Sequence, residues 1–162
     1  MKIAVISSEY ITEPGTWHGG LSNYLDRITQ GLKRRGHTVH VFVYSDRQEI
    51  IDYKGIKVHR VYVNELWLVI FNKLSLRLMP GAAQMILTAY YFRKYFTKVH
   101  AKEKYDLINS ASCQTPALFF DQRKMVAPMI TRMSSVMKQC QIAYDRKTTL
   151  DLSLVNNLPR AL

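Results

Sequence analysis

The chain has 162 residues, a length typical of one globular domain with its own hydrophobic core. Its 48% hydrophobic and 22% charged residues exclude wholesale disorder, and its two cysteines exclude a disulfide framework. The formal net charge of +11 favours anionic partners, namely nucleotides, phosphorylated substrates or an acidic membrane surface. Nucleic acid ranks below these partners because no nucleic-acid-binding motif accompanies the charge.

The first 45 residues predict a βαβ unit. A short apolar strand at 2–8 is followed by a polar loop that ends in Gly19 and Gly20. A helix then runs to the Gly36 region, and a second apolar strand covers 38–44. Backbone N–H groups at the start of such a helix can face an anion, so this loop is a candidate phosphate-binding edge.

The rest of the chain continues the alternation of strands and helices. In chain order we predict a polar turn at 45–53, a strand at 54–63, an apolar helix at 65–79, a long helix at 82–102, a strand at 105–110, a helix start at Thr115-Pro116, a strand at 126–133 and a helix at 145–157. This order predicts an α/β fold with a Rossmann-like, doubly wound parallel sheet, as one domain over residues 1–162. No leader pattern and no membrane-spanning segment are visible, so we expect a cytoplasmic protein.

The run from Met1 to Tyr44 resembles the N-terminal domain of family 4 glycosyltransferases, retaining enzymes of the GT-B fold. The matching pieces are the opening strand, the long loop ending in Gly19-Gly20, the helix ending at Leu32-Lys33-Arg34-Arg35-Gly36-His37, and the strand after it. A later segment, at 128–135, is similar to the strand and Arg-x-Ser piece near the end of that domain.

The resemblance implies transfer of a sugar from a nucleotide-sugar donor to a glycan or lipid-linked acceptor, without an organic cofactor or a metal. It covers about half of such an enzyme, because the C-terminal domain that holds most of the nucleotide-sugar is absent from the 162 residues. We therefore expect that another domain or partner chain is needed, and that the isolated chain turns over no nucleotide-sugar.

The candidate site residues follow loops and strand ends. The resemblance places Gly19 and Gly20 against the donor diphosphate. Arg132 lies at the end of a predicted strand, where ligands of open α/β sheets bind and where a guanidinium can clasp a phosphate. Further candidates for the cleft or the acceptor are His18, Glu9, Ser112 and Gln114. The family often has Glu or His near Ser112, and this chain does not, so its catalytic residues stay unassigned.

Several alternatives stay open at this point. The glycines are also compatible with a plain turn, and Arg132 with a structural ion pair. A dinucleotide-binding oxidoreductase with Asp46 as its ribose ligand is disfavoured because no Gly-x-Gly-x-x-Gly follows the first strand. The histidines lack zinc-site spacing. The main alternative function is a non-catalytic module that binds an anionic ligand or a membrane. For a membrane, the apolar cluster at 67–71 would insert beside basic residues of the two central helices.

Overall fold

The computed structural model describes residues 1–13, 20–64, 66, 69–70, 80–112, 114–120 and 127–133. The predicted helix at 65–79 lies outside the described residues, apart from Leu66, Val69 and Ile70. The predicted helix at 145–157 lies entirely outside them.

In the described part of the chain, six strands form one sheet flanked by helices. The elements are β1 (Lys2–Ser7), α1 (Gly20–Arg34), β2 (Thr38–Ser45), β3 (Glu49–Tyr53), β4 (Ile56–Tyr62), α2 (Pro80–Glu103), β5 (Leu107–Ala111) and β6 (Met129–Arg132). The strand order is β3-β4-β2-β1-β5-β6, and all neighbours are parallel except β3 and β4. The prediction of a doubly wound α/β sheet is confirmed.

Two local predictions are wrong. The segment predicted as a polar turn at 45–53 contains β3, which pairs antiparallel with β4. The hairpin between them turns at Lys54 and Gly55, with φ values of 52° and 73°, which is the backbone of a type I′ turn that glycine favours. The predicted helix at Thr115-Pro116 is a pair of isolated turns, in which Leu118 N donates to Thr115 O and Phe120 N to Ala117 O.

Alternation along the strands divides the core between the two faces of the sheet. On β1, Ile3 and Val5 pack on the α1 side, whereas Ala4 and Ile6 pack on the α2 side. The α1 side is closed by Leu25, and the α2 side by the fully buried rings of its helix, Phe92 and Phe96. Both faces of the central strands are therefore buried, as a parallel sheet requires.

Helix α1 ends in a way that its sequence predicts. Gly36 has φ 82°, its N–H donates to Lys33 O, and the N–H of His37 donates to Leu32 O. These two bonds form a Schellman cap, which satisfies the last carbonyl groups of the helix and leads the chain into β2. Among the described residues, no helix combines the length and apolar character needed to cross a lipid bilayer.

Candidate functional site

The candidate site lies at the point where the strand order of the sheet reverses, beside β1. From β1 the chain crosses through α1 to β2 on one side, and β5 pairs with the other side of β1. The carboxyl ends of β1, β5 and β6 and the start of α1 therefore meet at one edge of the sheet. Open α/β sheets bind ligands at such a switch point.

Arg132 places a positive charge at this edge. It ends β6 opposite Ala111 of β5, and its carbonyl oxygen accepts a hydrogen bond from Ser112 N at 3.0 Å. Its guanidinium carbon lies 3.3 Å from the ring centroid of Tyr24 on α1, a cation–π contact. Its Nη1 atom is buried and has no hydrogen-bond partner among the described residues. The Tyr24 ring thus holds the Arg132 guanidinium in place, and within the described residues Nη1 can still donate a hydrogen bond to a ligand.

Two buried serine hydroxyls lie on either side of the β1–α1 loop. Ser8 follows the end of β1 and is 7% exposed, and Ser22 in the first turn of α1 is fully buried. Neither Oγ atom has a hydrogen-bond partner within the part of the chain that the structure describes. A buried hydroxyl without a partner costs about 1–3 kcal/mol, so a ligand that accepts its hydrogen bond would recover that free energy.

Gly20 starts α1 at the same edge. It is exposed, and a Cβ atom added to it would meet no heavy atom within 4 Å. The space in front of the first turn is therefore open on the described side, and the N–H groups there are available to an anion. The predicted site residues His18 and Gly19 lie outside the described residues.

A buried ion pair holds the first part of the β1–α1 loop against the sheet. Arg60 of β4 donates from Nε to Glu13 at 2.9 Å and from Nη2 to Thr12 O at 2.8 Å, and it also pairs with Glu49 of β3. The Glu13 side chain is only 4% exposed. Burial opposes the charged form of Arg60, but its hydrogen bonds to the two carboxylates outweigh this effect and raise its pKa. These contacts fix the part of the β1–α1 loop that precedes Gly19 and Gly20 in sequence.

The other predicted residues lie around the same edge in different settings. Glu9 is half-buried just after β1, and burial raises the pKa of its carboxyl. Ser112 is half-buried at the end of β5, and Gln114 is exposed with φ 56°, a left-handed backbone uncommon outside glycine. Asp46, the alternative ribose ligand, pairs with Arg47 at 3.4 Å on the surface.

Sequence reasoning missed three residues of this arrangement: Ser8, Ser22 and Tyr24. The position of Ser8 directly after a strand, and of Ser22 two residues beyond the glycine pair, was a usable signal. Nothing in the sequence indicates the contact of Tyr24 with Arg132, because more than a hundred residues separate them.

Comparison with solved structures shows the fold. A sucrose-phosphate synthase from Thermosynechococcus elongatus matches with a TM-score of 0.62 and 16% identity, over 91% of this chain and 35% of that chain. A segment of sucrose-phosphate synthase from the same organism matches 68% of this chain and 50% of that chain, at 16% identity and a TM-score of 0.36. The chain thus spans about a third of the length of the first protein.

Comparison with sequences shows the family. No curated protein sequence matches the chain significantly. The model of the family described as Glycosyltransferase Family 4 matches residues 18–132, which is more than half of the chain and runs from His18 to Arg132. The resemblance to this family is thereby confirmed, and the chain belongs to glycosyltransferase family 4.

Proposed function

We propose that this chain is the N-terminal, acceptor-side domain of a glycosyltransferase that transfers a sugar from a nucleotide-sugar to a glycan or lipid-linked acceptor. The observation that carries the proposal is Arg132 at the switch point of the sheet, a cation stacked on Tyr24 whose buried Nη1 has no hydrogen-bond partner among the described residues. Family membership supports the reaction class. The second domain of the family would supply the other wall of the cleft, and neither a metal nor an organic cofactor is part of the proposal.

The arrangement suits a diphosphate leaving group. When the bond between the sugar carbon and the diphosphate breaks, negative charge develops on the phosphate oxygens. Arg132, the hydroxyls of Ser8 and Ser22 and the N–H groups at Gly20 are fixed donors that would stabilise this charge. An acceptor hydroxyl forms the new bond to the sugar carbon, and its proton passes to a phosphate oxygen of the departing diphosphate.

The remaining predicted site residues form the acceptor side of the proposed cleft. Ser112 and Gln114 follow β5 at the same edge, and His18 and Gly19 adjoin Gly20 in sequence. Glu9 follows β1, and burial raises the pKa of its carboxyl. We place these groups near the acceptor hydroxyl, with Gly19 beside Gly20 on the donor diphosphate.

Titration calorimetry with UDP and with GDP tests the role of Arg132. We expect at least one nucleotide to bind, and Arg132→Met to weaken its binding about tenfold or more, because a charged hydrogen bond is worth roughly 1.5–3 kcal/mol. Arg132→Lys should fall between the two, since lysine keeps the charge but loses the planar fork. Arg27→Met, which removes an exposed cation from α1, is the matched control. Equal affinities for the wild type and Arg132→Met would contradict the proposed site.

A second candidate function, binding to an anionic membrane, is favoured by one observation. Ile86 and Tyr90 are 44% and 51% exposed on successive turns of α2, and the exposed Arg93 follows on the same stripe. Exposed apolar groups beside cations suit the surface of an acidic bilayer, and a cytoplasmic location at the inner membrane surface would go with it. Sedimentation with vesicles that contain phosphatidylserine should carry the protein down, and Ile86→Ser with Tyr90→Ser should abolish this. Retention of the double variant on the vesicles would contradict the assignment.

A further inference from the structure

A pocket lies on the α2 side of the sheet, beside the carboxyl end of β4. Its volume is about 280 Å³, near the lower end of small-molecule sites. Polar and aromatic side chains from β4, α2 and the turn before β3 line it: Gln48, Tyr62, Tyr91, Lys94, Tyr95 and Lys98. β4 is separated from β1 by one strand, so the pocket is displaced from the switch point by roughly 10 Å along the sheet.

The walls of this pocket are held by the fold. Gln48 donates from Nε2 to Arg60 O at 2.8 Å, and its Oε1 accepts from Tyr62 N at 3.2 Å. The hydroxyl of Tyr95 lies 3.2 Å from Nδ1 of the buried His59. The amide and this ring are therefore fixed before any ligand arrives, which lowers the entropy cost of binding.

The pocket is positively charged. Lys94 and Lys98 are four residues apart on α2, so their ammonium groups project to the same side of the helix. Both side chains are exposed, and within the described residues neither forms an ion pair with a carboxylate. Two like charges at this spacing destabilise a helix, and an anion between them would relieve the repulsion.

We propose that this pocket binds an anionic monosaccharide, a sugar that carries a phosphate or a carboxylate. Tyrosine rings offer apolar faces against which the C–H face of a sugar can pack, with hydroxyl groups at their edges for hydrogen bonds. The amide of Gln48 adds a further polar contact, and Lys94 and Lys98 take the charged substituent. The assignment uses none of the residues of the proposed donor site.

Saturation-transfer NMR and calorimetry on the whole chain test this assignment with three probes: glucose 6-phosphate, glucuronate and glucose. We expect binding of at least one of the two anionic sugars and binding about tenfold weaker or more for glucose. Lys94→Gln with Lys98→Gln should reduce the affinity of the anionic sugar about tenfold. Lys102→Gln with Lys104→Gln is the matched control, because it removes two exposed charges at and just beyond the end of the same helix, outside the pocket. Tyr91→Ala should also weaken binding, whereas the UDP affinity of the chain should not change.

Other outcomes would overturn the assignment. Inorganic phosphate that binds as tightly as glucose 6-phosphate would show that the tyrosines make no contact with a sugar ring. Equal losses in the pocket variant and in its control would show a diffuse charge effect. Binding only to phosphatidylserine vesicles, with no sugar bound, would assign the lysines to a membrane surface. Failure of UDP to bind would contradict the donor site alone and would leave the result for this pocket unaffected.

Discussion

Gly20 occupies a position where a side chain is compatible with the fold. The first turn of α1 faces open space on the described side, and an added Cβ would meet no atom within 4 Å. Under the proposed function, that space belongs to the donor diphosphate, which has to approach the backbone N–H groups closely. A substitution of Gly20 should therefore affect ligand binding without destabilising the fold.

We expect Gly20→Ala to leave the free energy of unfolding unchanged or to raise it by up to about 1 kcal/mol, because alanine is the better helix former. The same change should weaken UDP or GDP binding several-fold. Gly31→Ala, near the other end of α1, is the control, since its Cβ would approach only the Arg34 side chain, at 4.0 Å. Urea unfolding and calorimetry measure the two effects. Unaltered nucleotide affinity in Gly20→Ala would mean that the diphosphate does not approach this turn.

For single residues, the sequence predicted the place in a strand or helix better than the side-chain contacts. The place of Arg132 at a strand end follows from its neighbours in the chain, and so does the place of Gly20 at a helix start. The pairing of Arg132 with Tyr24, and the burial of the Ser22 hydroxyl, depend on how α1 is placed over the sheet. Periodicity carries no information on that packing.

Arg60 connects three elements of the fold. It lies on β4, and its guanidinium contacts Glu49 of β3, Glu13 of the β1–α1 loop and a carbonyl of the same loop. The Glu13 carboxylate is almost fully buried, and the Arg60 cation stabilises its charge. The β1–α1 loop is thus positioned by a residue of β4, which is separated from β1 by one strand.

Replacement of Arg60 by methionine should lower the free energy of unfolding by about 3 kcal/mol, because it removes the ion pair of a buried carboxylate. Adding Glu13→Gln should restore part of the loss. We expect the folded Arg60→Met variant to bind UDP or GDP more weakly than the wild type, because the β1–α1 loop loses its contacts with Arg60. Chemical unfolding followed by circular dichroism gives the stabilities. A single variant as stable as the wild type would show that the ion pair contributes no net stability.

The core on the α2 side carries a buried pair of histidines. His40 and His59 are 4% and 2% exposed, and their rings lie between Phe42, Tyr95 and Tyr105. His40 Nδ1 is 2.6 Å from the Tyr105 hydroxyl. Burial, with the nearby Lys57 charge as a further cause, lowers the pKa of each ring from 6.5 to about 4. Both rings are therefore neutral in the folded protein at neutral pH.

The stability of the whole molecule should depend on pH for this reason. In the unfolded chain these rings titrate near 6.5, so below that pH the unfolded state binds more protons than the folded state. The stabilisation is complete above about pH 6.5 and is lost as the pH falls towards 4, by a few kcal/mol for the pair.

Urea unfolding at pH 7, 5.5 and 4.5 measures this loss. We expect His59→Phe to flatten the decline, because it removes one of the two titrating groups and keeps a ring that stacks on Phe42. His37→Gln, at the end of α1 outside the buried pair, should keep the decline of the wild type. A stability that is constant from pH 7 to 4.5 would contradict the predicted linkage.

The sequence by itself determined the family and the fold class of this protein. The apolar strand, the glycine loop, the capped helix and the second strand are contiguous, and both hydrophobic period and capping are local properties of the chain. Only the tertiary structure decided that the presumed turn at 45–53 contains an edge strand, since β3 is stabilised by its pairing with β4. It also decided which polar groups at the switch point lack a hydrogen-bond partner in the described part of the chain, and which tyrosines and lysines share a pocket. Those contacts join residues far apart in the chain, and their energies depend on burial, which no local pattern specifies.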